Sequence, residues 1–152
     1  MAYSETAIHQ VIEVLSKTLA NTYLLALKTK NFHWNVKGPN FHSLHLLFDE
    51  QNGALVATAD EVAERIRAFN KPAIGTMTEF LKAATLKESP ANYPDAPTMI
   101  AALVADHEHI IEALLVDIEV LTGLSDVGSA DMLTGKLQEH EKMAWMLRSH
   151  LQ

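Results

Sequence analysis

Apolar residues recur at Ile8, Val11, Ile12, Leu15, Leu19, Tyr23, Leu24 and Leu27. Their period of about 3.6 residues predicts a long amphipathic helix from about Ser4 to Asn35. Gly38 and Pro39 interrupt that pattern within VKGPN, and Asn40 stands where it can cap a second helix running from about Phe41 to Phe69. Lys71-Pro72 is expected to end it, because the residue before a proline is pushed out of the helical region. A short helix is expected near Thr78 to Ala84, in a connection closed by SPANYPDAP, whose prolines exclude a continuous helix. A third long helix is expected from about Pro97, acceptable in a first turn, to Leu121. After the break TGLSDVGSA, a fourth runs from about Ala130 to His150. No segment alternates with the period of a strand, so the pattern predicts an all-α four-helix bundle with a long crossover between its second and third long helices.

At 152 residues and 48% hydrophobic content, the chain is the size of one domain that can bury a core without disulfides. Residues 1–152 are therefore expected to form one domain. Cysteine is absent, which excludes thiolate catalysis and cysteine-ligated zinc and leaves imidazole and carboxylate as metal ligands. Twelve Lys and Arg against nineteen Asp and Glu give a formal net charge of -7, the wrong sign for a general nucleic-acid binder. The start, MAYSETAIHQVIEV, lacks the basic and apolar regions of a signal peptide, and no window is apolar enough to span a membrane. A soluble, cytoplasmic protein is expected.

Three of the eight histidines fall in FHWNVKGPNFHSLH, residues 32–45. An antiparallel hairpin centred on Pro39 brings His33 level with His45. With His45 set at 0° and about 100° per residue, Asp49 falls near 40°, Asp60 near 60° and Glu64 near 100°, all on one stripe of the second helix. Singly, such a histidine is ordinarily a capping or solvated residue; together with three carboxylates on one stripe it is a metal-ligand set. Iron suits these ligands, and so do zinc, manganese and cobalt. Yet His45 and Asp60 are about 22 Å apart along the helix at ~1.5 Å per residue, too far for one site in one chain. A second copy laid antiparallel across a two-fold axis pairs His45 with Glu64 and Asp49 with Asp60, with the axis passing between residues 54 and 55. Gly53 and Ala54 lie there, and a mid-helix glycine, which costs about 1 kcal/mol against alanine, suits a close helix crossing.

These residues, with NFHWNVKGPNF, DEVAERIR and the short crossover helix, resemble the Dps family (DNA-binding protein from starved cells), the mini-ferritins, across nearly the whole chain. The resemblance implies a ferritin-like bundle assembled into a hollow dodecamer. It implies a ferroxidase that oxidises Fe(II), preferentially with hydrogen peroxide, and stores the ferric product, protecting against oxidative damage. By position, His33, His45 and Asp49 would be one chain's ligands, and Asp60 and Glu64 those of the partner subunit. Trp34 resembles the family tryptophan that intercepts stray oxidising equivalents, although taken alone it reads as core or interface. Asp126 and Asp131, ordinarily helix-start acids, would line a three-fold pore that attracts Fe(II).

Elsewhere, His42 is expected to be solvated or to support the site from behind its ligands. Asp106-His107-Glu108-His109 contains an Asp-x-x-His pair but no second such pair, and is expected to be a solvated face. The alternative function is a DNA-binding, nucleoid-compacting protein. Such members use a Lys/Arg-rich terminal tail, and here the first lysine is Lys17 and the chain ends two residues past His150, so strong DNA binding is not expected.

Overall fold

The computed structural model describes residues 2–152. Its helices are α1 (Glu5–Asn35), α2 (Phe41–Ala68), α3 (Met77–Ala83), α4 (Ala96–Gly123) and α5 (Val127–Arg148), and no strand is present among the described residues.

Local chemistry sets the boundaries. The Ser4 hydroxyl accepts the Ala7 amide at 3.1 Å and starts α1. Gly38 adopts φ 115° in the turn that follows, a conformation open to glycine and costly for other residues. Asn40 occupies the cap position of α2, but its side chain makes no capping bond; its carbonyl accepts the Ser43 hydroxyl at 3.1 Å instead. The second helix also stops earlier than Pro72 requires. Asn70 takes a left-handed conformation at φ 59° and its N–H bonds to the Arg67 carbonyl at 2.8 Å, so a tight turn closes the helix. Thr76 and Glu79 form a reciprocal capping box on α3. Asp95 caps α4 by accepting the Thr98 amide at 2.9 Å. Asp126 accepts the Ser129 amide at 3.1 Å, which moves the start of α5 up to Val127 from the expected Ala130.

α1 packs on α2, and α4 on α5, as two helical hairpins. Lys28–Asp106 at 2.8 Å and Lys17–Asp117 at 2.7 Å fix α1 against α4 in antiparallel register. Gln51 Nε2 donates to the Met143 carbonyl at 3.3 Å, and Lys136 pairs with Glu61 at 2.6 Å, fixing α2 against α5 in the same sense. The result is a ferritin-like order of up, down, down, up, with α3 lying in the crossover. Leu15, Leu25, Phe32, Phe48, Leu55, Leu103, Leu114 and Leu133 are fully buried at its centre, and each stabilises the fold by about 1.5–3 kcal/mol through lost apolar exposure. Tyr23 and Leu27, which share the apolar period of α1, are instead 38% and 44% exposed. They flank the stripe on the side that receives α3, where Tyr23 stacks on Phe80 at 4.7 Å.

One side chain ties the crossover down. Asn21 Oδ1 accepts the amides of Thr85 and Leu86 at 2.8 and 3.1 Å, and its Nδ2 donates to the Thr85 hydroxyl at 3.0 Å. Among the described residues no helix is long and apolar enough to cross a membrane.

Candidate metal centre

The turn between α1 and α2 brings His33 and His45 face to face, with ring centroids 3.9 Å apart and planes inclined by 13°. Each imidazole uses the other's backbone. His33 Nδ1 lies 2.5 Å from the His45 carbonyl oxygen, and His45 Nδ1 lies 2.8 Å from that of His33. A carbonyl only accepts, so Nδ1 carries a proton in each ring, and in the neutral ring Nε2 keeps the lone pair. This is the tautomer that a metal ligand needs, held by backbone contacts of the kind that orient ligating histidines. Phe41 stacks on His45 at 5.0 Å and restrains the ring further.

Asp49, one turn along α2, places Oδ1 3.9 Å from His33 Nε2 and accepts a hydrogen bond from Lys30 Nζ at 2.6 Å. That bond is the main reason the Asp49 carboxyl is held below its ordinary range; the positive charge of Lys30 and the nearby imidazoles assist, against an opposing effect of burial. No motif in the sequence marks Lys30. Its spacing, one turn before His33 on α1, was the available signal.

Asp60 and Glu64 lie exposed on α2, and neither has an ion-pair partner among the described residues. The fold leaves them on the same helix as His45, about 22 Å from it along the axis in the case of Asp60, and no three His, Asp or Glu side chains converge to hold a metal among the described residues. Gly53 and Ala54 are also exposed, and a Cβ added to Gly53 would meet nothing within 4 Å. Packing within the subunit therefore does not require the glycine.

Trp34 is 62% exposed, so it is not a core residue. His42 is exposed, as expected. The two candidate pore acids separate. Asp126 is buried, caps α5, and pairs with Arg65 at 3.1 Å, whereas Asp131 is exposed. The solvated face expected at residues 106–109 needs correcting. His107 is fully buried, with Nδ1 2.8 Å from Nδ1 of His140, itself buried on α5. Asp106 pairs with Lys28 at 2.8 Å, and His109 Nε2 meets the Thr85 hydroxyl at 2.8 Å; only Glu108 and His109 remain exposed. Burial, reinforced by His140, pushes the His107 imidazole down to about 3. Burial, reinforced by Lys136, pushes His140 down to about 4. The signal for this pair was periodicity: His107 falls in the apolar stripe of Leu103, Ile110 and Leu114, and His140 in that of Leu133, Ala144 and Leu147.

The Ferritin family, described as a ferritin-like domain, matches residues 12–152. The chain is 39% identical over 142 residues to DNA protection during starvation protein 2 of Bacillus anthracis, across 93% of this chain and 97% of that relative. It superposes with a TM-score of 0.93 on the X-ray structure of Dps from Thermosynechococcus elongatus, at 35% identity, covering 97% of this chain and 93% of that one. The DPS protein from Vibrio cholerae O1, described as a member of a broad superfamily of ferritin-like diiron-carboxylate proteins, superposes with a TM-score of 0.92 at 27% identity, covering 100% of this chain and 98% of that one. The fold, the paired histidines and these similarities lead to one assignment: the chain belongs to the Dps family of mini-ferritins.

Proposed function

We propose that this protein is a ferroxidase and iron-storage mini-ferritin acting in the cytoplasm. Fe(II) is the substrate. It binds at sites shared across a two-fold axis, with His33, His45 and Asp49 supplied by one subunit and Asp60 and Glu64 by its partner. The observation that carries this reading is the reciprocal histidine pair: two Nε2 lone pairs are presented by backbone contacts at 2.5 and 2.8 Å, next to an ionised Asp49. The remaining carboxylates lie on the same stripe but about 22 Å (Asp60) and about 28 Å (Glu64) from His45 along the helix, and the exposed small residues Gly53 and Ala54 between them suit a close crossing of two copies of α2.

Hydrogen peroxide is the proposed preferred oxidant. One peroxide takes two electrons, one from each of two Fe(II) ions; its O–O bond breaks, both oxygens leave as water or in the ferric product, and no hydroxyl radical forms. In this reading Trp34, exposed and next to His33 in the chain, supplies an electron if a stronger oxidant escapes. The ferric product is stored in a hollow dodecamer, with Asp131 at the entry pore. Such chemistry fits the protective role named for the Bacillus anthracis relative, and the net charge of -7 favours protection by iron removal over coating of nucleic acid.

The shared site is tested by complementation. His45→Ala and Asp60→Ala chains are prepared separately, and each should lose Fe(II) oxidation. Co-assembled at random, they should recover about a quarter of wild-type sites, because half the two-fold pairs are mixed and each mixed pair has one intact site. No recovery in verified mixed assemblies would show that the ligands of a site come from one chain.

A further inference from the structure

The bundle core contains a polar layer that the ferroxidase reading does not use. Thr29, Gln51, His107 and His140 are 0%, 3%, 0% and 2% exposed, and each lies within the apolar stripe of a different long helix. Their level along the bundle follows from the contacts around them. The Asn52 side chain donates to the Ala26 carbonyl at 2.7 Å, Lys28 meets Asp106 at 2.8 Å, and Gln51 Nε2 donates to the Met143 carbonyl at 3.3 Å. With His107 against His140 at 2.8 Å, these contacts bring all four residues within about one helical turn, ~5 Å of rise, of a common plane.

Three atoms of this layer, Thr29 Oγ1, Gln51 Oε1 and His107 Nε2, are buried and have no hydrogen-bond partner within the protein. Each such group ordinarily costs about 1–3 kcal/mol, and three at one level of one core need a common explanation. Their chemistry is complementary to a single small molecule. The hydroxyl of Thr29 donates or accepts and the carbonyl of Gln51 accepts. His107 Nε2 accepts when His107 carries the shared Nδ1 proton, and donates when His140 carries it. A divalent cation does not suit the layer, because none of its members is a carboxylate, and Asp106 next to it is already neutralised by Lys28.

We propose that Thr29, Gln51 and His107 form an internal binding site for one neutral, water-sized hydrogen-bonding molecule that joins α1, α2 and α4 through the core. In-chain di-iron bundles project Glu and Glu-x-x-His side chains into a bundle core of this kind. Here the core holds a neutral ligand, and redox chemistry is left to the surface histidines. The molecule also holds the proton shared by His107 and His140 in one arrangement, since its contact with His107 Nε2 selects the tautomer.

The test uses the assembled protein and Thr29→Val, which replaces the hydroxyl with a methyl group of equal size. If the hydroxyl binds the internal molecule, its loss strands Gln51 and His107, and Tm falls by about 2–4 °C. Gln51→Met should cost a similar amount, and the double variant should lose less than the two single losses together, because one bound molecule is lost in all three. If the hydroxyl is simply unpartnered, Thr29→Val leaves Tm unchanged or raises it, and the variants add; either result overturns the proposal. A crystal structure of the wild-type assembly provides the second measurement. Density about 2.7–3.2 Å from all three atoms supports the site, and well-ordered side chains with no density between them overturn it.

Discussion

Each helical hairpin of this molecule carries one histidine pair across its two helices, and the two pairs do opposite things with the same side chain. His33 and His45 give their Nδ1 protons to backbone carbonyls, so both Nε2 atoms are left free at the edge of the bundle. His107 and His140 face each other through their Nδ1 atoms inside the core, where burial holds both well below the ordinary imidazole range. In the proposed function the edge pair meets a cation, whereas burial makes the core pair exclude charge. What separates them is the partner offered to Nδ1 and the depth of burial. Residue type and local motif do not distinguish them, since DHEH looks at least as much like a ligand cluster as HSLH does.

Breaking each pair in turn tests this contrast most severely. His45→Ala should lower the initial rate of Fe(II) oxidation at least about ten-fold, measured by absorbance of the ferric product, while Tm stays within about 2 °C because the side chain is partly exposed. His140→Ala should do the reverse. It strands His107 in the core and costs about 1–3 kcal/mol in denaturant titration, with the rate per folded site retained. If His140→Ala removed activity at unchanged stability, the core pair would belong to the chemistry.

Acid sharpens the same contrast. With unfolded imidazoles near 6.5 and folded values of about 3 for His107 and about 4 for His140, the unfolded chain binds protons that the folded chain refuses. Stability contributed by the pair is fully present above about pH 6.5 and is lost as pH falls toward 4 and below, with a limiting slope of about 1.4 kcal/mol per pH unit for each group. Charge on Lys136, which faces His140, adds to the penalty. Denaturant titrations at pH 7, 6 and 5 should show this decline, and it should flatten in a His107→Gln, His140→Gln double variant. Equal slopes in the two proteins would mean that other groups carry the acid sensitivity.

The smallest expected effect concerns Lys30. Its ammonium holds Asp49 Oδ1 at 2.6 Å, so a cation arriving at that oxygen competes with it. Lys30 and Asp49 are 31% and 50% exposed, and solvent screening limits the competition. Lys30→Met should tighten anaerobic Fe(II) binding by about two- to five-fold in calorimetric titration. Unchanged or weaker binding would show that Lys30 assists the site more than it competes.

The long helices were legible in the sequence because their apolar residues keep one period for many turns, and the edge pair because His33 and His45 are symmetric about Pro39 in a local hairpin. Caps were less so. Asp126 and Asn40 are both favourable capping residues, yet only Asp126 caps with its side chain, a difference set by the backbone angles of each turn. The core pair escaped because its members come from separate helices and are polar residues in apolar stripes. Register between α4 and α5, which no local pattern records, is what makes them partners. Lys30 escaped for a related reason: its contact with Asp49 depends on how α1 and α2 are aligned.

The Asn21 clamp bears on how the chain reaches this fold. The two hairpins are joined across residues 69–95, a connection whose closure cost rises with the logarithm of its length. By holding the amides of Thr85 and Leu86 against α1, Asn21 divides that connection and leaves a short free segment before Asp95. The second hairpin is then delivered to the first by a tether of about ten residues, and the gain is one of search entropy more than of contact energy.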